Sequence, residues 1–363
     1  GIPVIAEVEL AFRHLRGTVV GITGSNGKTT TTALAAEILR NSGRTAYAAG
    51  NIGVPLLSFV AASRPDDIYV TELSSFQLET IDRFRPRIAA VLNLSPDHLD
   101  RYAGFEDYVE AKRRIFLNQT ADDWAVLNAD DARTAALAEG LPPAAAYFSR
   151  RAEPALGCFL RRDRLMFRRG SAEVSILERR EIPLKGDHNL ENVLAACAIS
   201  MLAGADAAGV AEAVRAFQGV EHRLEWAGEI DGVQYFNDSK ATNVDATLKS
   251  LQAFAGNVLL IAGGRDKGGD FTALRPLVRE RVRYLVLLGE AAGKIREALQ
   301  GSARIALASG VPEAVAHCHR IARPGDVVLL APACASFDMF RNDEERGRAF
   351  KAAVRGLRPG ARD

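Results

Sequence analysis

The sequence predicts an α/β protein whose first unit holds a mostly parallel sheet plus a small antiparallel sheet, with a second α/β unit behind it. Three observations carry this. Short runs apolar throughout (TVVGIT, DIYVTEL, IAAVLNL) alternate with helix-patterned stretches, as expected of parallel strands buried on both faces. From about 147 to 182 the chain changes to arginine-rich segments, CFLRRDRLMFRR and EVSILERREIPL, which read as small antiparallel strands beside the main sheet. After Gly219 a new series begins (GVQYFNDS, NVLLIAGG, YLVLLG, DVVLLA), separated by helical spans, and reads as a Rossmann-like unit.

In chain order, TVVGIT is a strand and 30–41 a helix. TAYAAG, DIYVTEL, IAAVLNL and WAVLNAD are further strands, and 189–203 and 207–217 are alanine-rich helices. The break at 217–221, between a helix end and a new strand, sets the expected division: a central unit at 17–218 and a C-terminal unit at 219–363. Residues 1–16 read as the tail of an upstream element. Two α/β units joined by one linker predict a cleft between them, where ligands commonly bind.

The segment GITGSNGKTT (21–30) sits between a strand and a helix, the layout of a phosphate-binding P-loop. Backbone N–H groups of Ser25 to Thr29 would converge on a polyphosphate at a helix N-terminus, where unpaired donors and the helix dipole favour negative charge. Lys28 is placed to reach the β/γ-phosphates, and the Thr29 hydroxyl to ligate Mg²⁺. A plain βα turn explains the glycines but not the lysine and hydroxyls at the helix start. The residues therefore point to ATP or GTP.

Composition excludes other classes. With 46 basic and 45 acidic residues among 363, the net charge is +1, which gives no electrostatic case for nucleic acid or a membrane surface. No run approaches the ~18 apolar residues of a membrane span. Four cysteines stand far apart without metal-ligand spacing, as reduced thiols of a cytoplasmic protein would, with Cys334 alone near a suspected site.

Polar residues cluster at predicted strand ends. Glu72 ends DIYVTEL, where a carboxylate can hold Mg²⁺, and His98 in NLSPDHLD could ligate the same metal. Lys112, in FEDYVEAKRRIF, reads by itself as a solvated lysine on a charged helix. In the second unit, Arg223 stands at the junction, where its guanidinium fork could grip a phosphoryl group. Asp238, Lys240, Thr242 and Asn243 crowd one strand–helix loop, Lys267 lies between glycines, and Ser336 follows the last strand. Polar turns and helix caps explain one such loop, but four on strand C-terminal edges indicate a substrate site.

Taken in order, GSNGKTT, GNIG (50–53), ELSSFQLE (72–79), NLSPDHLDRY (93–102), AKRRIF (111–116), GDHNLENVLAA (186–196), EHR (221–223), NDSKATN (237–243), GGRDKGGDF (263–271) and PACASFDMF (332–340) make the chain resemble the Mur ligases. Within that family it resembles the D-glutamate-adding branch. The arginine motif DNPR of the diaminopimelate- or lysine-adding ligases is absent, and the folate-adding relatives offer no counterpart for the C-terminal loops.

The resemblance implies a role for each residue. ATP would be bound by Gly24, Ser25, Asn26, Gly27, Lys28, Thr29 and Thr30, by Asn189 and Asn192 near adenine, and by Arg223 and Asp238, the latter through ribose. Two Mg²⁺ ions are expected, with Thr29 and Glu72 on one and His98 serving the other. Lys112 matches a lysine that the family carries as a carbamate, an anion able to ligate Mg²⁺; this overturns its plain reading. Lys28, Lys112 and His98 would be the catalytic set. Asn51 and Ser74 would contact UDP-N-acetylmuramoyl-L-alanine, and Lys240, Thr242, Lys267 and Ser336 would receive D-glutamate. The expected reaction passes through an acyl phosphate, in peptidoglycan precursor synthesis, with small-molecule substrates only and a monomeric enzyme.

Two departures stand out. The family carries an N-terminal UDP-binding domain, and this chain opens just after where that domain would end, so weakened activity is expected. Asp343 stands where relatives often show an aromatic near the D-glutamate site. A folylpolyglutamate-type ligase and a nucleotide-binding module without activity are the competing readings.

Overall fold

The structure, a computed structural model, describes residues 2, 4–52, 54–95, 101–184 and 186–358. It divides into two compact units, Gly1–Phe217 and Gln218–Asp363.

The first unit opens with α1 (Glu7–His14), β1 (Thr18–Thr23), α2 (Lys28–Asn41), β2 (Ala46–Gly50), β3 (Ile68–Glu72), α3 (Ser75–Glu79), β4 (Ile88–Val91) and α4 (Phe105–Arg113). It continues through β5 (Trp124–Asn128), α5 (Ala132–Ala136), β6 (Ala144–Ser149), β7 (Leu156–Arg161), β8 (Arg164–Arg169), β9 (Ala172–Glu178), α6 (Asp187–Leu202) and α7 (Ala207–Ala216). Among the described residues these strands form one sheet in the order β2-β3-β1-β4-β5-β6-β7-β8-β9. Pairing is parallel from β2 to β7 and antiparallel across β7-β8-β9. The arginine-rich strands therefore extend the main sheet instead of lying beside it, because β6 pairs in parallel with β7 and leaves no break.

Alternation along each strand divides the core in two. Val20 and Ile22 of β1 face a cluster built with Leu34, Ile38, Val193 and Leu194 of α2 and α6. Val19 faces the other side, with Val8, Leu73, Phe84 and Ile115. Helix α6 is buried from Asn189 to Ser200 apart from Glu191, which accounts for its alanine-rich, apolar-all-round sequence.

Helix α1 is fastened to this unit by one buried carboxylate. Glu9 accepts hydrogen bonds from the backbone N–H groups of Asp82 (2.9 Å), Arg83 (2.9 Å) and Phe84 (2.8 Å), and from Arg13 Nε (2.7 Å).

The second unit comprises β10 (Glu225–Ile230), β11 (Val233–Asn237), α8 (Val244–Gln252), β12 (Val258–Gly263), α9 (Arg275–Arg281), β13 (Val282–Leu288), α10 (Ala292–Leu299), β14 (Arg304–Leu307), α11 (Val311–Ile321), β15 (Val327–Leu330) and α12 (Asp343–Arg355). Its sheet order is β10-β11-β15-β12-β13-β14, parallel except for the β10–β11 hairpin. Helices cover both faces. Along β12, Val258 and Leu260 pack into one apolar cluster, while Leu259 and Ile261 pack into the other. Among the described residues no helix is long and apolar enough to cross a membrane.

Burial alone would raise the Glu9 pKa, but the three N–H donors and Arg13 outweigh it and hold it below the usual value. The stabilisation is thus complete above the unfolded-state pKa near ~4.3 and is lost as pH falls through the lower folded-state value. Glu9→Ala leaves three backbone donors unanswered and should cost the first unit about 3 kcal/mol at neutral pH. Urea unfolding followed by Trp124 fluorescence in a Trp226→Phe background measures it, and the loss should shrink in acid.

Candidate active site

The phosphate loop joins β1 to α2, and two glycines decide its shape. Gly24 has φ +150° and Gly27, the residue before α2, has φ +83°. A Cβ on Gly27 would stand 2.1 Å from Asn192 Oδ1, so α6 supports the loop from behind. Asn192 Nδ2 in turn donates to Asn189 Oδ1 at 3.3 Å. The first turn of α2 carries no acidic residue, which leaves its dipole free to favour an anion.

The turn after β4 grips the same loop. Asn26 N–H donates to Asn93 Oδ1 (2.9 Å), Asn93 Nδ2 donates to the Asn26 carbonyl (3.1 Å), and Ser25 N–H donates to the Asn93 carbonyl (3.0 Å). The Ser25 hydroxyl donates to the Ser95 carbonyl and accepts from Ser95 N–H, both at 2.9 Å. Sequence reasoning missed Asn93; its place at a strand end beside the loop was the available signal. Lys28 Nζ folds back onto the carbonyls of Gly24 (2.8 Å) and Ser25 (3.0 Å), while Thr29 and Thr30 are buried.

Glu72 stands one strand away. In register it pairs with Ile22 of β1 and Gly50 of β2, which sets it beside the root of the phosphate loop. It is only 3% exposed. Its Oε1 accepts from Asn51 Nδ2 at 3.0 Å, and its Oε2 is buried without a hydrogen-bond partner among the described residues. A buried carboxylate oxygen left open is a hard donor of the kind Mg²⁺ takes. Among the described residues no group of three or more His, Cys, Asp or Glu is placed to hold a metal ion.

Lys112 on α4 is 1% exposed and no solvated lysine. Its Nζ lies 3.4 Å from Thr23 Oγ1 at the end of β1 and 4.6 Å from the centre of the Tyr108 ring. Tyr108 OH also meets Ser25 Oγ at 3.1 Å, linking α4 to the phosphate loop. The Ser74 side chain caps α3 in a reciprocal pair with Gln77. His98 lies outside the described residues.

In the second unit, Asp238 follows β11 and is buried, which pushes its pKa up to about 6. The Ser250 hydroxyl donates to it, and the nearby Arg223 charge and the Leu224 N–H draw the pKa partly back. Lys240 Nζ lies 3.1 Å from Asp343 Oδ2, so the residue that departs from the family pattern pairs with a predicted substrate lysine. Thr242 is half-buried, Lys267 is exposed in its loop, and Ser336 is buried. Asp266 holds the Lys267 loop by accepting from Gly268 N–H (2.9 Å) and Gly269 N–H (3.0 Å).

Two buried residues of this unit escaped the sequence reading. Arg346 on α12 donates to Ser239 Oγ (2.9 Å) and to the carbonyls of Ser239 (2.8 Å), Cys334 (3.1 Å) and Ala335 (3.3 Å), tying the 237–243 loop to the 331–336 loop. Burial lowers its pKa to about 10. His222, with φ +67°, shares a hydrogen bond with Asn237 Nδ2 at 2.8 Å, and burial lowers its pKa. A Cβ on Gly347 would fall 2.2 Å from its ring, so α12 needs glycine there. Cys334 is buried and its thiol pushed up to about 12, chiefly by burial.

Residues 22–200 match the Mur ligase middle domain, and 222–334 the glutamate ligase domain of Mur ligases. The chain is 50% identical to the UDP-N-acetylmuramoylalanine–D-glutamate ligase of Acidobacterium capsulatum, over 98% of this chain and 77% of that one. Among solved structures it resembles a pseudomurein peptide ligase type C from Methanothermus fervidus, with a TM-score of 0.71 at 18% identity over 95% of this chain and 79% of that one. It also resembles the MurF ligase from Thermotoga maritima in complex with ADP, with a TM-score of 0.68 at 18% identity over 96% and 82%. Both domain matches in sequence order, together with a half-identical relative along almost the whole chain, make this protein a member of the Mur ligase family of ATP-dependent ligases.

Proposed function

We propose that the chain joins D-glutamate to the L-alanyl carboxylate of UDP-N-acetylmuramoyl-L-alanine, with ATP converted to ADP and phosphate. The observation that carries this reading is the strand edge of the first unit, where the Lys28 loop and the half-satisfied Glu72 carboxylate stand on paired strands. The half-identical relative bears the name of that activity.

A carboxylate is a poor electrophile, so the reaction needs an activated acyl group. The γ-phosphoryl of ATP moves to the alanyl carboxylate, giving an acyl phosphate and ADP; the amine of D-glutamate then attacks the acyl carbon and phosphate leaves. In this scheme the loop N–H groups and Lys28 hold the phosphates, Lys28 leaving its carbonyl partners for the β/γ-oxygens. Thr29 and Glu72 would hold one Mg²⁺ and His98 would serve a second, and these ions would neutralise charge between triphosphate and carboxylate. Lys112, buried beside Thr23, would be carried as a carbamate. Asn189 and Asn192 would lie near adenine, and Arg223 and Asp238 would hold phosphoryl and ribose groups. Lys240, Thr242, Lys267 and Ser336 would receive the amino acid.

ADP release with UDP-N-acetylmuramoyl-L-alanine should require D-glutamate; release with L-glutamate and a folate acceptor instead would reverse the assignment. Lys28→Ala should abolish ADP formation, and near-normal turnover would refute the scheme. Lys267→Ala should raise the KM for D-glutamate with a smaller effect on kcat.

Asp238 carries a stability cost. Its folded-state pKa of about 6 lies above the unfolded value near ~3.9, so the native state binds more protons between them. Stability of the second unit therefore falls as pH rises from about 4 to 6. Asp238→Asn keeps an acceptor for Ser250 and should stabilise that unit by up to about 2 kcal/mol above pH 6, while impairing nucleotide use. Unfolding at pH 4.5 and 7.5, read by Trp226 fluorescence in a Trp124→Phe background, tests the sign.

A further inference from the structure

We propose that Asn51 is a positioning residue for the metal site: its amide holds the Glu72 carboxylate so that only Oε2 is offered to a divalent cation. The inference rests on Glu72 being a metal ligand, as the proposed function has it.

The polarity follows from elementary hydrogen-bond chemistry. A carboxylate can only accept, so the Asn51 amide can face Glu72 only with its NH₂ group. That is the observed contact, Nδ2 to Oε1 at 3.0 Å. A second bond, from Asn51 N–H to the Glu72 carbonyl at 2.9 Å, fixes the backbone that carries the amide. The turn that makes this possible is tight: Gly50 has φ +90°, and a Cβ there would stand 2.3 Å from the Glu72 carbonyl. Asn51 and Glu72 are thus held together through both main chain and side chain.

Two consequences follow. With Oε1 engaged, the carboxylate loses its freedom to rotate, and Oε2 is the oxygen left buried without a partner. Outer partners of this kind fix the orientation of a metal-binding carboxylate. Asn51 itself is exposed, and its Oδ1 has no hydrogen-bond partner among the described residues. Oδ1 and the second Nδ2 hydrogen both remain, so the contact with Glu72 leaves the amide able to meet either a donor or an acceptor.

The test uses the full chain with Mn²⁺ as the probe, its binding followed by electron paramagnetic resonance in the presence of a non-hydrolysable ATP analogue. Asn51→Ala and the near-isosteric Asn51→Leu should weaken Mn²⁺ binding by ~10-fold or more while leaving the unfolding midpoint unchanged. Asn51→Gln, which keeps an amide donor, should recover part of the loss. Glu72→Gln is the control for the underlying reading. If Glu72→Gln leaves Mn²⁺ affinity intact, Glu72 is no ligand and the underlying reading falls. If Glu72→Gln removes binding but Asn51→Leu binds Mn²⁺ as the parent does, the positioning role alone is overturned.

Discussion

The pairing of β1 between β3 and β4 decides where chemistry can stand in the first unit. Parallel strands need helical crossovers, so each strand delivers its C-terminal end to the same edge of the sheet. Ile22 pairs with Glu72 and Thr23 with Val91, so the phosphate loop, the Glu72 carboxylate and the Asn93 turn emerge side by side. A one-residue slip between β1 and β3 would send Glu72 to the opposite face. The buried apolar faces of these strands forbid such a slip, because Val20, Val70 and Ala90 would leave their cluster.

That fixed edge is lined with groups that folding alone would not choose. Glu72 is buried with one oxygen unanswered and Lys112 is buried beside a hydroxyl; in the second unit, Asp238 keeps a carboxyl where burial raises its pKa. Each costs free energy relative to an apolar residue of similar size. The large core of each unit offsets this, and rigid supports hold the costly groups in place: Asn51 for Glu72, Asn93 and Asn192 for the phosphate loop, and Arg346 for the loops of the second unit. Arg346 shows the same balance. Its charge is buried without a carboxylate hydrogen bond among the described residues, yet one side chain satisfies carbonyls from two loops.

The phosphate loop and the main strands were legible because their signals are local. Glycine freedom, a Lys–Thr pair and continuous apolar runs are written within a few residues. Other features depend on partners distant in sequence. Strand β6 (AAAYFS) carries little strand propensity and is a strand because β5 and β7 pair with it on both sides. Helix α1 is short, and what fixes it is Glu9 meeting backbone donors more than seventy positions away. The role of Arg346 is invisible in RNDEERG, since three of its four acceptors are carbonyls, which leave no mark on sequence. Asn51 was read for its resemblance to a substrate contact, and only the geometry shows that its amide faces Glu72.

Lys112 separates reading composition from reading phase. The segment FEDYVEAKRRIF is rich in charge, which suggests a solvated helix. Its buried positions are Tyr108, Ala111, Lys112, Ile115 and Phe116, a stripe with spacings of three and four. Lys112 stands four residues after Tyr108 and four before Phe116, in the middle of that stripe. A charged residue on the apolar face of a helix cannot be carried by the helix itself, so its neighbours across the fold must supply what water would have. Thr23, at the end of the strand that leads into the phosphate loop, is one of them. The periodicity alone therefore marks Lys112 as a lysine kept inside for a reason, and the strand it touches points to the phosphate loop as that reason.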